Sequence, residues 1–401
     1  MTQVPVLLLT GYLGSGKTTL VNKILGNRKG IKFAVIVNDI GEVNIDASLI
    51  ANDGVVSQKD DSLVALQNGC ICCTLKMNLV EQLRDIVSLG KFDYIVIEAS
   101  GICEPEPIAR TICSIPYMGP EYVADGLPRL DSIVTVVDAL RMKDEFSCAK
   151  DLLRGNIDED DIENLVIQQI EFCNIVLLNK ASMVSASELG KVKEIVRALQ
   201  PKAEIIECDY GEVDFDRILN TGLFNYDSVS ASAAWITAVE EGADVDDDDD
   251  DEEEEEHEGH HHHHHHHEGE GEVEEYGIGT YVYFNRKPFD MNKFDNFVAR
   301  HWPAGIIRAK GICYFDSEPD LCYLFEQAGS QIGLKNIGQW YATMPENELK
   351  EQMENDPALR RDWDPEYGDR MQKLVFIGQH LDRSAVGNAL DSCLSELLDV
   401  Q

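Results

Sequence analysis

The stretch Gly11-Tyr-Leu-Gly-Ser-Gly16-Lys17-Thr18 decides the fold of the first half of this 401-residue chain. It fits the pattern G-x-x-x-x-G-K-[ST], between an apolar run at residues 4–10 and helical spacing of apolar residues over 16–25. In such a loop backbone N–H groups converge on phosphate oxygens, the lysine neutralises the β- and γ-oxygens, and the threonine hydroxyl holds Mg²⁺. A nucleoside triphosphate site is therefore predicted, with these binding residues: Gly11, Gly14, Ser15, Gly16, Lys17, Thr18 and Thr19.

Apolar runs alternate with amphipathic stretches from residue 5 to about residue 227. Because the runs are nearly continuous in Val, Ile and Leu, they are typical of strands covered on both faces, as in a doubly wound parallel sheet. Helical spacing follows at residues 78–89 and 187–199, and Ser187 is the expected cap of the second helix. The prediction is an α/β P-loop domain with strands at 4–10, 32–38, 94–98, 132–138, 175–179 and 203–207.

Composition separates the rest of the chain into a linker and a second domain. Between Asp244 and Glu275 there are eighteen acidic residues and no Lys or Arg, so the segment cannot bury apolar surface and should be disordered. The predicted parts are a P-loop nucleotide-binding domain at 1–227, an acidic, His-rich linker at 228–275, and a smaller α+β domain at 276–401. The last should hold a mainly antiparallel sheet with strands at 279–285, 306–315, 321–327, 332–340 and 373–378, and helices at 290–300, 346–355 and 384–398.

Charge and hydropathy argue against several classes of protein. The formal net charge is −39, so nucleic-acid phosphates would be repelled. No run of about 18 apolar residues suggests a membrane span. The apolar residues 4–9 lack a preceding basic region, which predicts a strand and not a signal peptide. We expect a cytoplasmic protein with reduced cysteines and no membrane or nucleic-acid partner.

Acidic residues at the ends of predicted strands complete the expected catalytic set. Glu98, in Ile95-Val-Ile-Glu98-Ala-Ser-Gly101, should organise Mg²⁺ or its water, and the Gly101 N–H could sense the γ-phosphate. Asp39 is a switch candidate that could reach the metal, although a turn-capping role stays open. The predicted catalytic residues are Lys17, Thr18, Glu98 and Asp39.

Asn179-Lys180 takes the place of the guanine-reading N-K-x-D motif after the run at 175–179. Ser182 occupies the position of the aspartate, and a serine accepts one hydrogen bond without forming the charged fork. Guanine preference should therefore be weaker than usual or completed elsewhere. An ATPase or an unselective nucleotide hydrolase remains an alternative.

Three thiols lie within four residues in Gly69-Cys70-Ile-Cys72-Cys73-Thr74, just before a predicted helix. Adjacent thiolates suit Zn²⁺ or Cu(I), and three sulfurs leave a tetrahedral position open for an ion that must be passed on. Glu42 is the expected fourth ligand if its loop folds over the cysteines. Burial as small apolar side chains and a redox role are the alternatives.

Nine of the 11 histidines lie beside the acidic run. Imidazoles on a flexible chain bind Zn²⁺, Ni²⁺ or Co²⁺, and nearby carboxylates raise the local cation concentration. We expect an arm that gathers metal for the cysteines, with a solvated spacer as the alternative. Its residues are His257, His260, His261, His262, His263, His264, His265, His266 and His267.

In their order and spacing these motifs resemble the CobW-type family of P-loop GTPases, closest to its zinc-responsive metallochaperone branch. The likeness continues after the linker in Ile307-Arg308-Ala-Lys310-Gly311 and Trp363-Asp-Pro-Glu-Tyr-Gly-Asp369-Arg370. The resemblance implies a slow GTPase that uses GTP and Mg²⁺, binds zinc at its three motif cysteines, and delivers it to a client apo-metalloenzyme. The client and any homo-oligomer stay open.

Three departures limit what the resemblance carries over. Ser182 replaces the guanine-reading acid, Asp290 stands where the family commonly has a histidine after Pro-Phe, and no cysteine-containing extension precedes the P-loop. Two other functions also stay open. One is a zinc buffer or sensor gated by nucleotide, and the other is a GTPase of a cobalt, cobalamin or nickel pathway, because thiolate and imidazole do not uniquely choose zinc.

Overall fold

The computed structural model describes residues 2–26, 30–37, 76–147, 157–230, 277–329, 331–355, 359–360 and 363–395. These residues form two compact units, one built mainly from residues before 231 and the other from residues after 276. Most of the predicted linker lies outside the described residues. No helix among the described residues is long and apolar enough to cross a membrane.

The first unit contains a six-stranded parallel sheet in the order β2-β3-β1-β4-β5-β6, as the apolar runs predict. β4 begins five residues before its predicted start, since Pro128 and Arg129 break the apolar run but keep their pairing with β1. The strands are β1 Gln3–Thr10, β2 Phe33–Val37, β3 Tyr94–Glu98, β4 Leu127–Asp138, β5 Ile175–Asn179 and β6 Glu204–Glu207.

Helices cover this sheet and bury its apolar side chains. The predicted cap Ser187 is wrong: Ser185 caps the helix, because its hydroxyl accepts from the Glu188 N–H and the Glu188 carboxylate accepts from the Ser185 N–H in a capping box. The final short helix crosses the predicted boundary at residue 227. The helices are α1 Lys17–Leu25, α2 Lys76–Ser88, α3 Pro105–Ser114, α4 Ala139–Ser147, α5 Ile157–Glu171, α6 Ala186–Leu199 and α7 Tyr226–Ser230.

The chain reverses its direction across the sheet at β1, which lies between β3 and β4. Parallel strands place their carboxyl ends at one edge, and open α/β sheets bind ligands at such a reversal. The P-loop, Glu98, Asp138 and Asn179 each lie at or directly after the carboxyl end of a strand. The fold therefore brings the predicted nucleotide residues to one edge.

The second unit is an antiparallel five-stranded sheet in the order β10-β9-β8-β11-β7, with a core rich in phenylalanine. Asp290 caps its first helix by accepting from the N–H groups of Asn292 and Lys293. The helix predicted to reach residue 398 ends at Asp391, because Leu394 pairs with Phe289 instead. The elements are β7 Ile278–Asn285, α8 Met291–Arg300, β8 Ile306–Phe315, β9 Glu318–Ala328, β10 Gln331–Gln339, α9 Glu346–Asn355, β11 Gln372–Gln379 and α10 Arg383–Asp391.

Candidate nucleotide site

The P-loop connects β1 to α1 and packs closely on its neighbours. Gly16, the cap residue of α1, has φ 107°, and a Cβ there would lie 2.3 Å from Asn179 Nδ2. Gly101 lies against the same loop, since a Cβ on it would be 2.7 Å from the Leu13 backbone nitrogen. Glycine permits the Asn179 side chain to approach the loop at Gly16 and the Leu13 backbone to approach Gly101, and any side chain at either position would prevent this.

Lys17 is buried at the start of α1, and its Nζ donates to the carbonyl oxygens of Gly11 at 2.7 Å and Tyr12 at 3.2 Å. Its ammonium thus lies across the loop whose N–H groups would meet a phosphate. The Ser15 hydroxyl in the same loop is buried and has no hydrogen-bond partner among the described residues. A cationic side chain, a helix N-terminus and a buried polar atom together suit an anionic ligand.

Thr18 and Glu98 meet although 80 positions separate them in the sequence. The Thr18 hydroxyl donates to Glu98 Oε1 at 2.8 Å, and Glu98 is 3% exposed at the end of β3. A hydroxyl and a carboxylate are the hard oxygen ligands that Mg²⁺ prefers beside nucleotide phosphates. The donor set at this position therefore fits magnesium.

Asn179, at the end of β5, connects the P-loop to the loop after β6. Its Nδ2 donates to the Ser15 carbonyl at 2.7 Å, and its Oδ1 accepts from the Gly211 N–H at 3.1 Å. Lys180 follows with φ 61°, and its ammonium pairs with Asp138 at the end of β4. The Asn179-Lys180 pair thus holds three loops of the carboxyl edge together.

Sequence reasoning missed two acids at this edge, Asp138 and Asp209. Asp138 ends a predicted strand as Glu98 does, and it neutralises Lys180. Asp209 follows the short strand β6, and its Oδ1 accepts from both the backbone N–H and the hydroxyl of Ser182. The strand-end rule that identified Glu98 would also have found both.

A cleft of about 580 Å³ lies between α1 and the loop after β6. Thr19, a predicted nucleotide-binding residue, lines it together with Gly211 and Phe215. A salt bridge of 2.8 Å between Lys23 and Glu212, two further lining residues, joins its two sides. The cleft provides room and both polar and apolar walls next to the P-loop helix.

The predicted metal ligands Cys70, Cys72, Cys73 and Glu42 lie outside the described residues, as do Asp39 and the nine tract histidines. Among the described residues no group of three or more His, Cys, Asp or Glu side chains could hold a metal ion. Six other cysteines are buried, as free cysteines that act as small apolar side chains commonly are. They are Cys103, Cys173, Cys208, Cys313, Cys322 and Cys393.

Burial keeps several of these thiols protonated. It raises the pKa of Cys173 to about 12 and the pKa of Cys208 to about 11. Because the thiolate is the metal-binding and nucleophilic form, such cysteines are poor ligands at neutral pH. Metal binding or nucleophilic reaction by a thiolate would therefore require cysteines outside these cores.

Comparison with known proteins accounts for both units. The profile of the CobW/HypB/UreG nucleotide-binding domain matches residues 5–207, and that of the cobalamin synthesis protein CobW C-terminal domain matches residues 278–394. Zinc-regulated GTPase metalloprotein activator 1 of Dictyostelium discoideum is 32% identical over 407 residues, which cover 98% of this chain and 80% of the relative.

Two further similarities come from Escherichia coli. The zinc chaperone YjiA is 31% identical over 229 residues, which cover 56% of this chain and 63% of YjiA. A crystal structure of Zn(II)-bound YjiA GTPase aligns over 98% of this chain and 100% of its own, with 20% identity and a TM-score of 0.40. The resemblance drawn from the sequence motifs is confirmed: the chain belongs to the CobW/HypB/UreG family of nucleotide-binding proteins.

Proposed function

We propose that this chain is a GTP-hydrolysing zinc metallochaperone, which couples nucleotide turnover to the delivery of zinc to a client metalloenzyme. The observation that carries the proposal is the hydrogen bond between Thr18 and Glu98, which follows directly on the P-loop lysine, Lys17, at the edge where β2 ends. The names of the relatives, a zinc-regulated GTPase activator and a zinc chaperone, support zinc over cobalt and nickel.

The proposed division of labour follows the predicted domains. Residues 1–227, with α7 completing the unit, would bind nucleotide and zinc, residues 228–275 would gather metal, and residues 276–401 would form the second domain. In the nucleotide site Lys17 would bind the β- and γ-phosphates, while Thr18 and Glu98 would hold magnesium, directly or through water. The magnesium ion would neutralise negative charge on the phosphate oxygens. The sequence offers no obvious catalytic glutamine or arginine finger, so we propose slow intrinsic turnover.

Chain connectivity supports coupling between nucleotide and zinc. Val37, the last residue of β2, pairs in register with Glu98 on β3. The chain therefore leaves the sheet beside the magnesium-binding pair, and Asp39 is the second residue beyond Val37. The segment that starts there carries Glu42 and the three motif cysteines before α2 begins at Lys76.

We propose that bound GTP orders the loop at residues 39–42 and brings Glu42 toward Cys70, Cys72 and Cys73. Loss of the γ-phosphate would release that loop and open the thiolate site, so that the ion could transfer. Zinc is cargo in this scheme. The histidine tract would raise its local concentration, with affinity set by neutral imidazoles.

The test is the zinc affinity of the full chain with a non-hydrolysable GTP analogue, with GDP, and without nucleotide. We expect affinities that differ by about 5-fold or more, and linkage requires zinc to change nucleotide affinity by the same factor. Zinc isotherms that superimpose in all three states would refute coupling.

Variants assign the effect to residues. Replacing Cys70, Cys72 and Cys73 by serine should abolish the high-affinity zinc site, whereas Cys113→Ser, outside the motif, serves as the control. Lys17→Ala should remove the nucleotide dependence and leave zinc binding in place. Zinc transfer to a purified apo-metalloenzyme that proceeds equally well without hydrolysis would favour a nucleotide-gated buffer.

A further inference from the structure

The loops that follow β5 and β6 are fastened to each other by backbone hydrogen bonds. The Cys208 N–H donates to the Leu178 carbonyl at 2.9 Å, and the Ala181 N–H donates to the Cys208 carbonyl at 3.2 Å. These bonds extend the parallel pairing of the two strands past their ends. Side chains from the two loops are therefore held at a fixed separation.

Within this pair of loops, Ser182 and Asp209 form a small polar unit. The Ser182 N–H and hydroxyl donate to Asp209 Oδ1 at 3.1 and 2.9 Å. Among the described residues both hydrogen bonds to this carboxylate go to Oδ1, and Asp209 forms no ion pair, so Oδ2 can accept from a ligand. Asp209 is half-buried and Ser182 is exposed, which leaves the unit accessible.

The turn after Asp209 fixes its backbone. The Glu212 N–H donates to the Asp209 carbonyl at 2.9 Å, and the intervening Tyr210 and Gly211 both have positive φ, 52° and 67°. Asn179 holds the same turn through the Gly211 N–H. The carboxylate is therefore anchored on the backbone side and on the Ser182 side, which is the preorganisation that specific recognition requires.

Guanine offers N1–H and the 2-amino group as adjacent donors, which a carboxylate can bind together. Adenine has an acceptor at N1, which would oppose a carboxylate. Ser182 stands at the acid position of N-K-x-D, and its hydroxyl brings Asp209 Oδ1 within one hydrogen bond of that position. We propose that Asp209 is the guanine-reading carboxylate of this chain, supplied by the loop after β6 and oriented by Ser182.

The inference rests on the proposed function, because it assumes that guanine nucleotide binds at this edge. It predicts guanine specificity without the usual motif acid. A base that leaves this carboxylate without its hydrogen bonds should bind with an affinity roughly 10- to 100-fold lower than that of guanine.

Asp209→Asn gives the sharpest test. Since Ser182 donates to Oδ1, the asparagine keeps its carbonyl oxygen there and places its NH₂ group where Oδ2 was. That group repels the 2-amino group of guanine but donates to the 2-carbonyl of xanthine. We expect GDP affinity to fall by roughly 10- to 100-fold and xanthosine diphosphate to become the preferred ligand.

The measurement is calorimetric affinity of the full chain for GDP, inosine, xanthosine and adenosine diphosphates with Mg²⁺. The wild-type chain should bind inosine diphosphate, which lacks the 2-amino group, more weakly than GDP. Asp214→Asn is the matched control, because Asp214 lies in the same loop but caps the 3₁₀ turn Phe215–Arg217. It should leave the order of preference unchanged.

If Asp209→Asn folds poorly, a double exchange, Ser182→Asp with Asp209→Ser, takes its place. It keeps the acid–hydroxyl pair and should therefore keep the preference for guanine. If Asp209→Asn lowers the affinity for all four nucleotides equally, or for none, while the wild-type chain prefers guanine, the assignment of Asp209 is overturned and the proposed GTPase stands. If the wild-type chain binds ADP as well as GDP, both the assignment and the guanine part of the proposed function fail.

Discussion

We expect Asn179→Ala to lower both the stability of the N-terminal unit and its affinity for GDP. The side chain is 2% exposed and connects the Ser15 carbonyl to the Gly211 N–H. Truncation would leave a buried acceptor in the P-loop and a buried donor in the loop after β6, both without partners. The two sides of the nucleotide site would lose their shared contact.

The magnitude follows from those two bonds. A buried polar group without a partner costs about 1–3 kcal/mol, and water that enters the space left by the amide recovers part of it. For two such groups we expect the free energy of unfolding to fall by about 2–4 kcal/mol, a large share of the roughly 5–15 kcal/mol of a typical domain. GDP affinity should fall about tenfold or more, because the P-loop loses an anchor.

Asn174→Ala is the matched control at the opposite end of β5. Asn174 likewise bonds one backbone N–H and one backbone carbonyl, accepting from the Ile133 N–H at 2.9 Å and donating to the Leu223 carbonyl at 3.2 Å. It lies far from the P-loop edge, so its loss should lower stability and leave GDP affinity unchanged.

Urea unfolding followed by circular dichroism measures the free energy of unfolding. Hydrogen exchange of the α1 amides shows that the loss of stability occurs in the first unit, which contains Asn179. A second variant, Asn179→Asp, keeps the acceptor for Gly211 but places an oxygen against the Ser15 carbonyl, so it should be at least as damaging at neutral pH. If Asn179→Ala loses less than about 0.5 kcal/mol, as ordinary surface substitutions do, and binds GDP normally, these bonds do not hold the site.

Three further predictions concern the magnesium pair and the cap of α6. Glu98→Gln should weaken GTP-analogue binding in Mg²⁺ by about tenfold and leave GDP binding in EDTA nearly unchanged, and equal Mg²⁺ dependence in variant and wild type would contradict the assignment. Ser185→Ala should cost roughly 1 kcal/mol of unfolding free energy. Hydrogen bonds from the Ser185 N–H and hydroxyl lower the pKa of Glu188. The contribution of Glu188 to the free energy of unfolding should therefore be present above the ordinary glutamate pKa and lost as the pH falls through the lowered value. If the wild type and a Glu188→Gln variant lose stability in parallel on acidification, this prediction is refuted.

The sequence predicted the strands and the P-loop well because their signals are local. Continuous apolar runs identified β1, β3 and β5 to within a residue, and the glycine pattern identified the start of α1. The cap of α6 was misplaced by two residues, although only Ser185 has a glutamate three positions later, which is the S-x-x-E pattern of the capping box in the structure.

Contacts across the sheet were beyond local signals. That Thr18 meets Glu98 depends on β3 lying beside β1, which the chemistry of the P-loop motif implied in advance. The contact between Ser182 and Asp209 depends on the pairing of β6 with β5, and no sequence motif predicted this contact. The departure at Ser182 was visible in the sequence, but its compensation required the register of two parallel strands.

Charge makes both ligands of the proposed function depend on cations. With a net charge of −39, the chain repels a free nucleoside triphosphate. Lys180 is already paired with Asp138, and Glu98 adds a negative charge next to the phosphate position. Among the described residues, Lys17 and the N-terminus of α1 bring less positive charge to the phosphate position than a nucleoside triphosphate brings negative charge, so the site fits a nucleotide that arrives with a divalent cation bound. The same acidity that opposes the bare nucleotide favours metal ions near the chain. The acidic composition therefore suits both the binding of a cation-bound nucleotide and the binding of zinc.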